Sequence, residues 1–297
     1  MPHAAWQLTP LTDPATATGV RRLAWLAQDP EGGHPVGSAF VRLFDRKGQE
    51  HVAEVDVRVH PAQRRAGVGT RLIEAALAAA KENGRDRVSA TADEGSPGAA
   101  FLAARGFRVG LRLTYARLSL PDADTAALAE TAGRTHPGYR LVEWDGTVPD
   151  ALAASFAASR RAMDDMPMGD TDQGRAVWDV ARVRAAAEAV ARRGDLLHTV
   201  AAIDTADGSV AGFTELVVRG DREGDAEHYG TGVLPEHRGR GLARWMKAHQ
   251  ILRMRERHPR LAGLLTDTAD ENAPMRAVND ALGYVPTRCS CMYRLDI

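Results

Sequence analysis

Val57-Arg58-Val59-His60-Pro61-Ala62-Gln63-Arg64-Arg65-Ala66-Gly67-Val68-Gly69 and Gly232-Val233-Leu234-Pro235-Glu236-His237-Arg238-Gly239-Arg240-Gly241-Leu242-Ala243 set out one local plan twice. Each closes an apolar strand, turns at Val-x-Pro, and places an arginine three residues ahead of a glycine where a helix must begin. Val59/Val233, Pro61/Pro235, Arg64/Arg238 and Gly67/Gly241 are all separated by the same 174 positions, which marks an internal repeat. Two copies of one device imply two related domains.

The device suits an anion. The first backbone N–H groups of a helix lack intrahelical partners, and the aligned peptide dipoles place partial positive charge there. Glycine lets a phosphate approach the backbone with no Cβ in the way. Neither copy ends in the Gly-Lys-Ser/Thr of a nucleoside-triphosphate loop, and neither carries the Gly-x-Gly-x-x-Gly dinucleotide fingerprint.

Arg/Gln-x-x-Gly-x-Gly/Ala after a Val-x-Pro strand end resembles the acyl-coenzyme A pyrophosphate loop of the GNAT superfamily of N-acetyltransferases. Thr266 to Met275, followed by Val278-Asn279-Asp280-Ala281-Leu282-Gly283-Tyr284, resembles that family's fifth strand, last helix and Leu-Gly-aromatic ending. Val88 to Thr91 and Phe101 to Phe107 form a weaker version in the first half. The tandem layout is similar to that of two-domain actinobacterial members. The resemblance implies an α/β fold of two tandem domains, each a mixed, mostly antiparallel sheet flanked by helices.

A chain of 297 residues is long enough for two domains with separate cores. A formal net charge of −1 argues against a general nucleic-acid binder, which would be basic. Cys289 and Cys291 alone make no disulfide framework and read as structural residues on one face of a strand. The N-terminus lacks a basic-then-apolar leader and no apolar run is long enough to span a bilayer, so a cytoplasmic protein with no membrane partner is expected. No metal site is expected, and pairing into a homodimer is left open.

Residues 1–122 are expected as a first domain, 123–136 as a linker that is open to partial helix, and 137–297 as a second domain. In the first, strands 22–27, 36–44 and 51–59 precede the loop and a helix from Thr70. Between Trp6 and Val20 there is little room for the helix pair that shapes the acceptor pocket in the family, so this domain reads as truncated and non-catalytic. The second reads as complete, with strands 139–144, 196–203, 209–218, 226–234, 261–266 and 289–295. Its helices are expected over 149–163, 175–193, 242–256 and 272–282.

By resemblance, acetyl-coenzyme A is the cosubstrate and a primary amine of a small molecule the acceptor. Val233, Arg238, Gly239, Arg240, Gly241, Leu242 and Ala243, with Asn272 and Asn279, are the expected coenzyme contacts in the second domain. Val59, Arg64, Arg65, Gly67 and Gly69 are their counterparts in the first. A protonated amine must lose a proton before attacking, and Glu227 occupies the slot where the family often places a carboxylate base. Glu215 on the preceding strand competes for that role. The oxyanion calls for a backbone N–H donor, assigned to Val233. His228 reads as a surface histidine, Asn279 as capable of lying on a solvated helix face, and Tyr284 and Tyr293 as core. Asn279 stands where the family often has an acidic tyrosine, so thiolate release without a general acid is one course, and Leu102 fills that place in the first half. Glu54 and Asp56 read as structural. The acidic segment Met163 to Asp172 reads either as a soluble loop or as a lure for a cationic acceptor. Two other readings stay open: a non-catalytic acyl-coenzyme A sensor, and a protein N-acetyltransferase.

Overall fold

The computed structural model of the protein describes residues 6–11, 20–29, 31–45, 48–164, 167, 169 and 177–297. In chain order the elements begin with β1 (Gln7–Leu11), β2 (Val20–Gln28), β3 (Pro35–Phe44), β4 (Val52–Val59), α1 (Val68–Glu82), β5 (Arg87–Asp93), α2 (Pro97–Ala104) and β6 (Arg108–Ser119). They continue with α3 (Thr125–Gly133), β7 (Tyr139–Asp145), α4 (Asp150–Ser159), α5 (Val180–Arg192), β8 (Leu196–Asp204), β9 (Val210–Val218) and β10 (Gly224–Val233). The last are α6 (Leu242–Arg257), β11 (Leu261–Ala269), α7 (Ala273–Ala281) and β12 (Val285–Asp296).

Two compact units result. The first comprises Met1–Arg112, Met168–Ala176 and Ser290–Ile297, the second Leu113–Pro167 and Val177–Cys289. Each unit therefore takes its final strand from the other half of the chain. The units depart in this way from the expected cuts at 122 and 137. Residues 123–136, expected as a linker, carry α3, whose Leu128 is buried in the core of the second unit.

The first unit orders its strands β1-β2-β3-β4-β5 and then the 290–296 part of β12. Only β4 and β5 are parallel, and their ladder runs from Val52/Arg87 to Glu54/Ser89, after which both strands continue unpaired with each other. The second unit orders β7-β8-β9-β10-β11 and the 113–119 part of β6, and again only one pair, β10 with β11, is parallel. That ladder ends at Glu227/Leu265, while β10 runs on to Val233 and β11 to Ala269. A parallel pair that parts midway opens a gap inside an otherwise antiparallel sheet.

Apolar periodicity explains the layers. Val68, Leu72, Ile73, Ala76 and Ala80 of α1 bury one stripe into a core with Val41, Leu43 and Val88. In the second unit, Ala248, Ile251 and Met254 of α6 pack with Leu216, Ala226 and Leu264 on one sheet face. Phe156 of α4 meets Phe213 of β9 on the other. The segment expected as one helix to Met163 ends as an α-helix at Ser159 and closes in a 3-10 turn over Arg160–Met163. β1 and β6 were not expected. Much of the stretch from Met1 to Thr18, and most of the acidic segment 163–172, lies outside the described residues. No helix among the described residues is long and apolar enough to cross a membrane.

The fold also seals ionisable groups. His198 on β8 is fully buried, with Nε2 3.9 Å from Glu143 and 4.0 Å from Asp145. Burial drives its pKa down to about 4 against the pull of those carboxylates. The unfolded chain takes up a proton near pH ~6.5 that folded His198 refuses, so stability present above that value is lost as the pH falls towards about 4. Denaturant unfolding is expected to show a loss of roughly 3 kcal/mol across that window, and His198→Gln should flatten it. An unchanged slope in the variant would assign the acid sensitivity elsewhere.

Candidate active site

The repeated motif builds the same turn in both units. In each, Pro61–Gln63 or Pro235–His237 makes one 3-10 turn, and a glycine in the left-handed region, Gly67 at φ 86° or Gly241 at φ 76°, caps the following helix. Arg238 Nε donates 2.9 Å to the Val233 carbonyl, and Arg64 Nε donates 3.4 Å to the Val59 carbonyl. The copies differ two residues before the cap. Gly239 has φ 75°, whereas Arg65 holds the same left-handed conformation at φ 66° with a side chain, a cost of about 1 kcal/mol.

In the second unit this loop opens onto a cleft of about 390 Å³. Thr231, Gly232 and Val233 of β10 form one wall, Arg238 to Arg244 the mouth, and Asn272, Pro274, Met275 and Val278 the wall on the α7 side. Leu234 N–H donates to the Ala211 carbonyl of β9, so strand alternation turns the N–H of Val233 the other way, into the gap that β11 leaves open. Arg240, whose guanidinium donates 2.6 Å to Tyr139, brings a positive group to the mouth, and Arg244 lines it. Exposed N–H groups at a helix start, two arginines and a narrow inner gap fit a pyrophosphate followed by a thin, extended arm. Asn272 lines the cleft and also caps α7, its Oδ1 accepting from Met275 N at 3.3 Å.

Other expected residues fall differently. Glu227 is exposed on β10 where the ladder with β11 ends, on the face opposite buried Ala226 and His228 and six residues before Val233, outside the cleft lining. Glu215 is 1% exposed, and its Oε1 accepts 2.6 Å from Arg160 NH2. The Arg160 guanidinium lies over the rings of Phe156, Trp178 and Phe213 at 4.5–4.8 Å. Burial pushes the Glu215 carboxyl up and Arg160 pulls against it. The pair pins the 3-10 turn to β9, which gives Glu215 a structural partner in place of an open approach for an amine.

His228 is not a surface residue. The pleat that exposes Glu227 turns His228 inward, where it is buried and shares a 2.7 Å hydrogen bond with the Tyr284 hydroxyl. Asn279 likewise leaves the solvated face. It is 3% exposed, accepts 2.8 Å from Lys247 Nζ and donates 3.0 Å to Thr268 Oγ1. It lies one helical turn beyond Met275, which lines the cleft. Tyr284 and Tyr293 are core residues as expected. Cys289 and Cys291 are free thiols, the first half-buried and the second buried. Lys247 was missed. The signal available was its position in a helix whose neighbours Trp245, Met246, Ala248 and Ile251 are all apolar.

A family model described as "Acetyltransferase (GNAT) family" matches residues 4–107 and 163–284. The chain belongs to the GNAT acetyltransferase family. A mycothiol acetyltransferase of Clavibacter michiganensis is 33% identical over 216 residues, 71% of this chain and 60% of that relative's length. One of Nocardia farcinica is 29% identical over 95% of this chain and 94% of its own. Among solved structures, a tandem GNAT protein from the clavulanic acid biosynthesis pathway superposes with a TM-score of 0.76 at 26% identity, covering 95% of this chain and 84% of that one. The match in two segments coincides with the repeat, and the two-unit fold is that of a tandem GNAT.

The Arg160–Glu215 pair carries a stability prediction. Arg160→Met leaves a buried carboxylate without its partner and is expected to cost about 3 kcal/mol, whereas Arg160→Met with Glu215→Met restores much of that loss. Equal melting of the single variant and the wild type would dismiss the pair as a structural pin.

Proposed function

We propose that the second unit transfers the acetyl group of acetyl-coenzyme A to a primary amine of a small molecule, by direct attack in a ternary complex. The observation that carries this reading is the alignment of an anion-binding loop, a gap between parted parallel strands and an exposed carboxylate along one strand, β10. The loop N–H groups with Arg238 and Arg240 would hold the pyrophosphate, and the Val233 N–H would donate to the thioester oxygen as negative charge develops on it. Glu227, exposed on β10 outside the cleft lining, would take the amine proton, directly or through a water. The new C–N bond forms as the C–S bond breaks, and the electron pair stays on sulfur. The names of the two mycothiol acetyltransferase relatives support a small-molecule acceptor.

The first unit we read as a scaffold. Its loop has the same backbone form, yet the chain between β1, which ends at Leu11, and β2, which starts at Val20, is short for a pair of helices, while α4 and α5 stand between β7 and β8 in the second unit. We therefore read the acceptor wall as belonging to the second unit.

Calorimetry with acetyl-coenzyme A on the wild type, Gly67→Glu and Gly241→Glu, with thiol release on an amine panel, tests the assignment. Gly241→Glu is expected to abolish binding in the second cleft and all turnover, and Gly67→Glu to leave turnover intact. Glu227→Gln should lower kcat on the order of 100-fold with little change in coenzyme affinity. Turnover that survives Gly241→Glu would refute the reading, and binding without thiol release on any amine would favour a sensor.

A further inference from the structure

Lys247 is the least expected residue in the second unit. Its side chain is 1% exposed inside α6, and no carboxylate lies within ion-pairing distance of it among the described residues. Its Nζ donates 2.8 Å to Asn279 Oδ1 and lies 4.7 Å from the centre of the Tyr284 ring. The titratable groups around it are His228 on β10, Tyr284 after α7 and, at longer range, Asp267 on β11. Burial lowers its pKa to about 7 with Asp267 opposing, and the same burial, aided by Lys247, holds His228 well below the ordinary histidine value. A protein interior admits an ammonium with only a neutral amide and a ring beside it at a considerable cost.

The repeat supplies an internal control. Lys247 follows the cap Gly241 by six residues, and the residue six after the cap Gly67 is Ile73. Ile73 is a core residue, 1% exposed, packed among apolar neighbours. At the position corresponding to Asn279 the first half has Leu102, also buried. The backbone plan therefore accepts two apolar side chains here, and the lysine and asparagine are additions specific to the second cleft.

Neither residue lines that cleft, but both follow its lining by one helical turn. Ala243 on α6 and Met275 on α7 line it, and Lys247 and Asn279 are each four residues further along the same helix faces. His228, bonded to Tyr284, marks where β10 and β11 part. The bond from Lys247 also fixes which way the Asn279 amide points. With Lys247 donating, Oδ1 faces Lys247 and the NH2 group faces Thr268 on β11, at the edge of the gap.

We propose that Lys247 is a positioning residue that makes the inner end of the second cleft a thiolate site: it orients the Asn279 amide to donate towards the coenzyme sulfur, and its amine can hold a proton opposite the sulfur once the thiolate forms. This rests on the coenzyme occupying the second cleft. When the C–S bond breaks, the sulfur keeps the electron pair and leaves as a thiolate, the amine proton goes to Glu227 or water, and the thiolate takes a proton only after release. No acid side chain is then required at position 279.

The test uses coenzyme A itself and needs no acceptor. The ultraviolet absorbance of the thiolate is titrated against pH for coenzyme A bound to the wild type, Lys247→Met, Lys247→Arg and Asn279→Leu, with binding followed by calorimetry and folding by thermal melting. In the wild type the bound thiol is expected to ionise at least about one pH unit below the free thiol, a tenfold shift. Lys247→Met and Asn279→Leu should remove the shift while coenzyme still binds, and Lys247→Arg should keep part of it. A wild-type thiol that titrates as free coenzyme, or a Lys247→Met protein that titrates as wild type, overturns the proposal. Absence of coenzyme binding to the wild type would overturn the reading of the cleft instead, and the thiolate site with it. Should Lys247→Met fail to fold, Asn279→Leu, which installs the first half's own residue, decides the matter.

Discussion

The hydrogen bond from Arg238 Nε to the Val233 carbonyl is the constraint on which the second site depends. Beyond Glu227 the strand has lost β11 as a partner, so carbonyls on that edge must be satisfied from elsewhere. An arginine reaching back from the loop does this and in the same stroke folds the chain so that α6 starts beside the end of β10. The helix N-terminus and the inward-facing N–H of Val233 then share one cleft. Arg64 and Val59 repeat the arrangement in the first unit with a longer bond of 3.4 Å. A motif that reads as a phosphate loop is thus also a structural clasp, and its arginine has a role before any ligand arrives.

The loops, their glycine caps and the strands other than β1 and β6 were legible because turn chemistry and short-range periodicity are written locally. β7 to β11, α6 and α7 lie within a few residues of their expected bounds. What escaped was non-local. The 113–119 and 290–296 segments carry the alternation of half-buried strands, but an alternating pattern does not say which neighbour a strand will pair with, and each joined the unit built mainly by the other half. β1 is short and interrupted by Pro10, which hides a strand in a sequence reading. The connector looked like a linker from its alanine, threonine and aspartate content, yet Leu128 gives α3 an apolar contact with the core and Asp124 caps its start.

The polar residues of the second site were the hardest to place, and for one reason. On a strand the pleat decides burial residue by residue, so Glu227 faces solvent while His228, expected at the surface, is buried. On α6 almost the whole circumference is enclosed, as Leu242, Trp245, Met246, Lys247, Ala248, Gln250, Ile251 and Met254 are all buried. A helix enclosed on that scale has no solvated stripe to which a lysine or glutamine is naturally assigned. Burial there follows from three-dimensional packing, and composition alone points the wrong way.

Two buried cations show how differently charge is housed in the same unit. Arg160 is matched to Glu215 and roofed by three aromatic rings, so its field is spent on a neighbour and the pair works as a pin. Lys247 faces an amide and a ring, which orient its amine without supplying an opposing charge, and burial lowers its pKa to about 7. The first half, with Ile73 and Leu102 in the corresponding places, shows that the fold does not ask for such a charge. Gene duplication leaves the backbone of both copies under one set of packing rules, so departures between them point to work beyond folding. Those departures fall on the cleft lining and one helical turn behind it: a glycine in place of strained Arg65, a lysine in place of Ile73, an asparagine in place of Leu102. They lie along one path from the helix N-terminus to the parting of the strands, the path an extended coenzyme arm would follow.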